Sequence, residues 1–165
     1  MAEEKRLRTA QVFDVNSGHV ASAFLVGHLF YSQGQYTVAQ TLFEGLQVLD
    51  SRNPFVHAML GSIYQKQNAF GKALRHYSTA IQIFPSDIQS RVNRGEIYLR
   101  FGRFKEASAD FKSAVDLDPE GKSASANRAR FLAGLSKESL EVANNQGLSA
   151  ALNAQTQLKK DLKLA

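Results

Sequence analysis

The sequence contains no cysteine, which excludes disulfides and thiolate metal sites outright. It also has no run close to the roughly 20 apolar residues that a membrane-spanning helix needs. Its first mostly apolar window, Val20 to Tyr31, is too short, too interrupted and too deep in the chain to be the apolar core of a secretory signal. The charged opening around Lys5, Arg6 and Arg8 is not followed by one either. These absences lead us to expect a cytoplasmic protein with no membrane partner. Catalytic signatures are missing as well: there is no Gly-rich phosphate loop, no His-Glu-x-x-His, no Gly-x-Ser-x-Gly and no EF-hand spacing. The four histidines, His19, His28, His57 and His76, fall at unrelated positions without metal-ligand spacing and read as surface or edge residues. We expect no enzyme, no metal and no cofactor.

The charge imbalance is small, with 20 basic against 15 acidic residues and a net +5. The basic residues are spread along the chain, apart from Lys5-Arg6-Arg8 near the start and Lys159-Lys160 and Lys163 near the end. A nucleic-acid footprint would gather them on one face, so we read a solvated, slightly basic surface and no nucleic-acid partner. With 44% hydrophobic and 21% charged residues over 165 positions, the composition is that of one folded domain.

What the chain has instead is a period. Gly27, Gly61 and Gly95 stand 34 residues apart, and so do Ala39, Ala73 and Ala107. The same spacing relates Tyr36, Phe70 and Phe104, then Phe43, Tyr77 and Phe111, then Leu46, Ala80 and Ala114. Pro85 and Pro119 close the second and third copies, with Ser51 in that slot of the first. Leu60-Gly61-x-x-Tyr64, Ala73-x-x-x-Tyr77 and Pro85 reproduce the tetratricopeptide pattern almost in full. The expected fold is all-α, a right-handed superhelix of antiparallel helix pairs with a C-terminal capping helix. Residues 1–19 form an N-terminal segment, repeats occupy 20–53, 54–87 and 88–121, and 122–165 supply an unpaired helix and the cap.

Local chemistry agrees with this register. Gly34, Asn68 and Gly102 sit at the turns inside the three pairs, and Gly and Asn best tolerate the left-handed residue that closes a helix. Asn53-Pro54 reads as an N-cap followed by proline at the first helical position, and Ser86-x-x-Gln89 as a capping box. The repeated glycines face Ala39, Ala73 and Ala107 of the second helix of each pair, with Phe43, Tyr77 and Phe111 filling the wedge beside them. After Pro119 the pattern decays. Lys122 to Leu135 reads as a fourth first helix, with Ala129 in the glycine slot and Leu132 in the tyrosine slot. Leu140, Leu148, Ala151, Leu152, Leu158 and Leu162 then form an apolar stripe interrupted at Gly147, suited to covering the open end of a solenoid. For residues 1–19, with Val12, Phe13 and Val15, capping, self-association and disorder all stay open.

In such an array the first helices line the concave surface. The groove positions are Phe24, His28 and Tyr31 in the first repeat, Phe55, Ala58, Ser62 and Gln65 in the second, and Gln89, Val92, Glu96 and Leu99 in the third. Either the N-terminal segment covers Phe24, Tyr31 and Phe55, or they form apolar pockets rimmed by amides and hydroxyls that suit an extended peptide. Members of this repeat family that bind chaperone tails hold the terminal carboxylate with a clamp of Lys, Asn and Arg. The matching positions here are Phe24, His28, Met59, Gln89 and Asn93, so the basic clamp is missing and carboxylate recognition is disfavoured.

The segment from Tyr31 through Gly34, Tyr36, Ala39, Leu42-Phe43 and Leu46 to Val48-Leu49-Asp50 resembles the first repeat of the class II chaperones of type III secretion, which serve translocator proteins. Ser51-Arg52-Asn53-Pro54-Phe55 and Leu60-Gly61-Ser62-Ile63-Tyr64-Gln65 continue the likeness, as does the charged end at Leu158-Lys-Lys-Asp-Leu162. The resemblance implies a small cytosolic chaperone, commonly dimeric through its N-terminal part, holding an extended segment of a secretion client in its groove. The alternative is a general repeat scaffold or assembly factor in a cytosolic complex.

Overall fold

The computed structural model describes residues 17–161, so the expectations for residues 1–16 and for Leu162, like that for the side chain of Leu158, lie outside the described part. Eight helices and no strand appear among the described residues. They group into two units that divide at Phe84 and Pro85. The first unit holds α1 (Ser17–Ser32), α2 (Tyr36–Leu49), α3 (Pro54–Lys66) and α4 (Phe70–Ile83). The second holds α5 (Ile88–Arg100), α6 (Phe104–Asp116), α7 (Ala124–Gln146) and α8 (Leu148–Asp161).

Helices α1 and α2, α3 and α4, and α5 and α6 pack as pairs, each reversing through a left-handed residue. These are Gly34 at φ 76°, Asn68 at φ 59° and Gly102 at φ 71°. Asn53 caps α3 by accepting from Phe55 N at 3.1 Å and Val56 N at 3.3 Å, with Pro54 at the first helical position. The start of α5 differs from the expected capping box. Asp87, not Ser86, is the N-cap, and its carboxylate accepts from Ser90 N at 3.0 Å. Asp and Ser are equally good caps, so Ser86 offered no means of choosing between adjacent candidates.

Inside each pair the glycine faces the aromatic ring more closely than the alanine expected opposite it. A Cβ on Gly27 would lie 2.9 Å from the Phe43 ring, and on Gly61 or Gly95 it would lie 2.6 Å from Tyr77 or Phe111. Phe43, Tyr77 and Phe111 are themselves wholly buried. The absent side chain is what lets the ring lie flat on the neighbouring helix, as close packing requires.

In the second unit α7 continues the stacking. Ala129 and Leu132, in the glycine and tyrosine slots, are buried against Phe104, Ala107 and Phe111. The helix then runs on to Gln146, well beyond Leu135, and Ser136 Oγ donates to the Phe104 carbonyl at 2.9 Å. Gly147, at φ 91° and ψ 163°, breaks the chain as its backbone freedom permits. α8 folds back along α7 with Ala151 buried, and Leu148 and Leu152 lie beside Gly102.

Candidate functional site

In the first unit, spacings of three, four and seven residues place Phe24, His28 and Tyr31 on one face of α1. They differ in how open they are. Phe24 is half-buried, edge-on to the core ring of Phe43 at 5.1 Å and 88°. His28 is exposed, its ring 6.4 Å from that of Tyr31. Tyr31 is half-buried beside Tyr36, 5.6 Å away, and burial, then the neighbouring Tyr36, raises its pKa above the ordinary value of 10.0. It is therefore a neutral phenol in the physiological range. On α3, Phe55 is 60% exposed and pairs with Phe84, itself 42% exposed, at 6.2 Å. This pair is an open aromatic element of the first unit.

Ala58, Ser62 and Gln65 follow Phe55 along α3 and are half-buried. Tyr77 of α4 positions the two polar ones. Its ring crosses α3 over Gly61, and its hydroxyl donates to Gln65 Oε1 at 2.7 Å and lies 3.1 Å from Ser62 Oγ. Ser62 Oγ is also 3.1 Å from the Ala58 carbonyl, to which it donates. The other two repeats carry phenylalanine at this position, so only the second has a phenol emerging from its core. A phenol fully buried in a repeat core needs a partner, and here the partner is a residue of the candidate face.

A polar network joins the first two repeats. Tyr64 of α3 donates to Glu44 Oε1 of α2 at 2.6 Å, Gln40 Nε2 donates to the same oxygen at 2.9 Å, and Gln67 Nε2 donates to Gln40 Oε1 at 3.0 Å. The hydrogen bonds from Tyr64 and Gln40 hold the Glu44 carboxyl below its ordinary range, whereas burial and Glu44 push the Tyr64 phenol up to about 12. This network fixes α2 against α3. Tyr64 was visible in the sequence as a motif residue, but nothing in the spacing pointed to Glu44, which lies 20 residues earlier and on a different repeat.

Two histidines expected at the surface form an internal pair instead. His57 is 5% exposed and His76 is half-buried. His57 Nδ1 lies 3.1 Å from His76 Nδ1, while its Nε2 lies 3.1 Å from the Ser51 carbonyl. A carbonyl can only accept, so His57 carries a proton on Nε2, and with His57 neutral its Nδ1 accepts from His76 Nδ1–H. His76 stacks on Tyr64 at 5.3 Å. Burial, then the nearby His57 and Arg75, lowers its pKa to about 4.

Two of the third-repeat positions are closed off. Val92 and Leu99 are fully buried in the core that includes Ala129 and Leu132 of α7. Ser125 of α7 donates its hydroxyl to Gln89 Oε1, and Arg128 pairs with Glu96 at 2.7 Å. The expectation that Val92 and Leu99 line a groove is thus corrected, because α7 packs over both; Gln89 stays exposed and Glu96 half-buried. In the first unit the expected positions that stay open or half-open are Phe24, His28, Tyr31, Phe55, Ala58, Ser62 and Gln65, and in the second Gln89 and Glu96.

Two tetratricopeptide repeat models match the chain, one over residues 24–88 and the other over 60–131, together spanning more than half of it. Hsp70-Hsp90 organizing protein 1 of Arabidopsis thaliana is 39% identical over 64 residues, which are 39% of this chain and 11% of that protein. The chain thus spans only a small part of that relative's length. Among solved structures, a T3SS complex from Aeromonas hydrophila superposes with a TM-score of 0.76 at 23% identity, over 85% of this chain and 97% of the other. PcrH of Pseudomonas aeruginosa, in complex with the chaperone binding region of PopD, gives 0.71 at 22% identity over 75% and 95%. At these identities the likeness is one of fold. Repeat period, paired helices and family models agree, and the chain belongs to the tetratricopeptide repeat family.

Proposed function

We propose that the first unit binds an extended segment of a client polypeptide, and that the protein is a non-enzymatic cytoplasmic chaperone of the translocator type. The observation that carries this reading is the open Phe55–Phe84 pair, whose Phe55 shares α3 with a glutamine amide oriented by Tyr77. An exposed aromatic anchor with an oriented amide further along the same helix matches what an extended peptide offers, an apolar side chain and main-chain polar groups spaced along a strand. The fold shared with PcrH, solved with the chaperone binding region of PopD, supports it. Fluorescence anisotropy with labelled segments from hydrophobic secreted proteins tests the proposal. Saturable binding of a subset of segments, competed by unlabelled peptide, is expected; uniform failure to bind contradicts it.

The likeness to an Hsp70-Hsp90 organizing protein favours the second reading, a general scaffold. Phe24, His28, Met59, Gln89 and Asn93 at the clamp positions give that reading no basic residue with which to hold a terminal carboxylate. The proposal also includes self-association through the N-terminal region. Leu25 and Leu29 of α1, one turn apart and 70% and 54% exposed, would supply an apolar strip for it. A monomeric mass in solution would remove that part alone.

A further inference from the structure

The C-terminal helix pair contains a crevice of about 300 Å³, lined by Leu135, Glu138, Ser139 and Val142 of α7 and by Ala154, Gln155 and Gln157 of α8. Leu135, Ser139 and Val142 follow one another at helical spacing, so one face of α7 forms one wall. On α8, Gln155 comes one turn after the buried Ala151, on the stripe that packs inward. An apolar residue there would cost nothing, whereas a buried amide without partners is expensive. Gln155 is only 5% exposed, and its Nε2 is buried without a hydrogen-bond partner among the described residues. Ser139, opposite, is 4% exposed.

We infer that this crevice is a second binding site, which takes an apolar side chain together with the neighbouring main-chain carbonyl of a polypeptide. A donor without an acceptor calls for a carbonyl or carboxylate oxygen from outside. Glu138, exposed and lining the crevice, opposes a carboxylate, and among the described residues no Lys or Arg lines the space to offset it. The ligand oxygen is therefore neutral. Leu135, Val142 and Ala154 set the rest of the ligand as apolar, and the volume lies at the small end of ligand sites, enough for a single residue and its flanking amides. The choice of a polypeptide as ligand rests on the proposed client-binding function; the crevice and its unpaired donor do not. On this account α7 and α8 do more than close the repeat stack.

N-acetyl-leucinamide, a neutral blocked residue, is the probe, and amide NMR shifts of the whole chain are the readout. Saturable shifts are expected at Ser139, Val142, Ala154 and Gln155, with none at Phe55. Gln155→Leu, which keeps the bulk and removes the donor, is expected to weaken binding at least about 10-fold without lowering the melting temperature, since a buried group without partners contributes nothing to stability. If that variant unfolds, Ala154→Leu, which fills the space, is expected to weaken the shifts to a similar extent. Crevice resonances that stay still up to the probe's solubility limit, or equal binding by the folded variants, would overturn the inference. Either result would leave binding of client segments at Phe55 untouched, so the two readings fail separately.

Discussion

Tyr77 reaches Gln65 by passing over the one residue of α3 that has no side chain: its ring lies on Gly61 and its hydroxyl donates to Gln65 Oε1 at 2.7 Å. A core contact and a surface group are thereby one unit. The glycine that permits close packing also sets where an amide of the candidate face points.

Tyr77→Phe separates the two roles. The ring and its packing stay, and only the hydroxyl leaves, as in the first and third repeats. One intramolecular hydrogen bond corresponds to about 0.5–1.5 kcal/mol, so urea midpoints are expected to fall modestly. Affinity for a client segment is expected to fall as well, because Gln65 and Ser62 lose their common tether. Unchanged affinity in a variant with a lowered midpoint would detach Gln65 from binding.

The glycines provide an internal contrast. Gly61→Ala places a methyl 2.6 Å from the Tyr77 ring, and such overpacking costs about 1–3 kcal/mol. Gly45 and Gly71 also lie in helices, but a methyl added at either would meet nothing within 4 Å. Replacing either with alanine is expected to stabilise the chain by about 0.5–1 kcal/mol through helix propensity alone. Thermal melts of the three variants check the order, and destabilisation by all three would contradict it.

Acid weakens the first unit through His76. An unfolded histidine takes up its proton near the ordinary value of 6.5, whereas burial keeps His76 neutral in the fold down to about 4. Between these values the unfolded chain binds more protons, so stability rises with pH across the window. It is fully present above about pH 6.5 and is lost as pH falls towards 4. Glu44, held below its ordinary 4.5, acts in the same direction at the acid end of the window. Urea midpoints from pH 7.5 to 4.5 are expected to decline, and to decline less in His76→Gln; an equal slope in that variant would rule out His76 as the source.

Leu99 tests the assignment of α5. As a residue of an open groove it would tolerate truncation, but as a core residue beneath α7 it would not. Leu99→Ala is expected to cost about 2–5 kcal/mol, read from denaturant unfolding of the second unit. A loss within about 0.5 kcal/mol, typical of an exposed site, would restore Leu99 to the surface.

The helix pairs were legible in the sequence because each rule pointed the same way: a 34-residue period, left-handed Gly or Asn at the turns, and a capped Asn53-Pro54. What escaped depends on which helix lies against which. Val92 and Leu99 carry the same periodic signal whether the face they occupy is open or covered by the next helix, and only the position of α7 decides. The pairing of His57 with His76, like the bond from Tyr64 to Glu44, joins side chains across helix contacts that no spacing rule encodes. Phe55 was legible because an aromatic at the first turn of α3 falls outside the repeating core positions.

Phe55 gives the most direct measurement. Truncating an aromatic anchor commonly costs about 2 kcal/mol of binding, about 30-fold in affinity. At 60% exposure, with Phe84 its only aromatic neighbour in contact among the described residues, Phe55 contributes little to the core. Client-segment titrations and thermal melts on wild type and Phe55→Ala therefore decide the central claim. A binding loss of that size with the melting temperature held is the predicted result; unchanged affinity, or a fall in melting temperature that accounts for the loss, would contradict it.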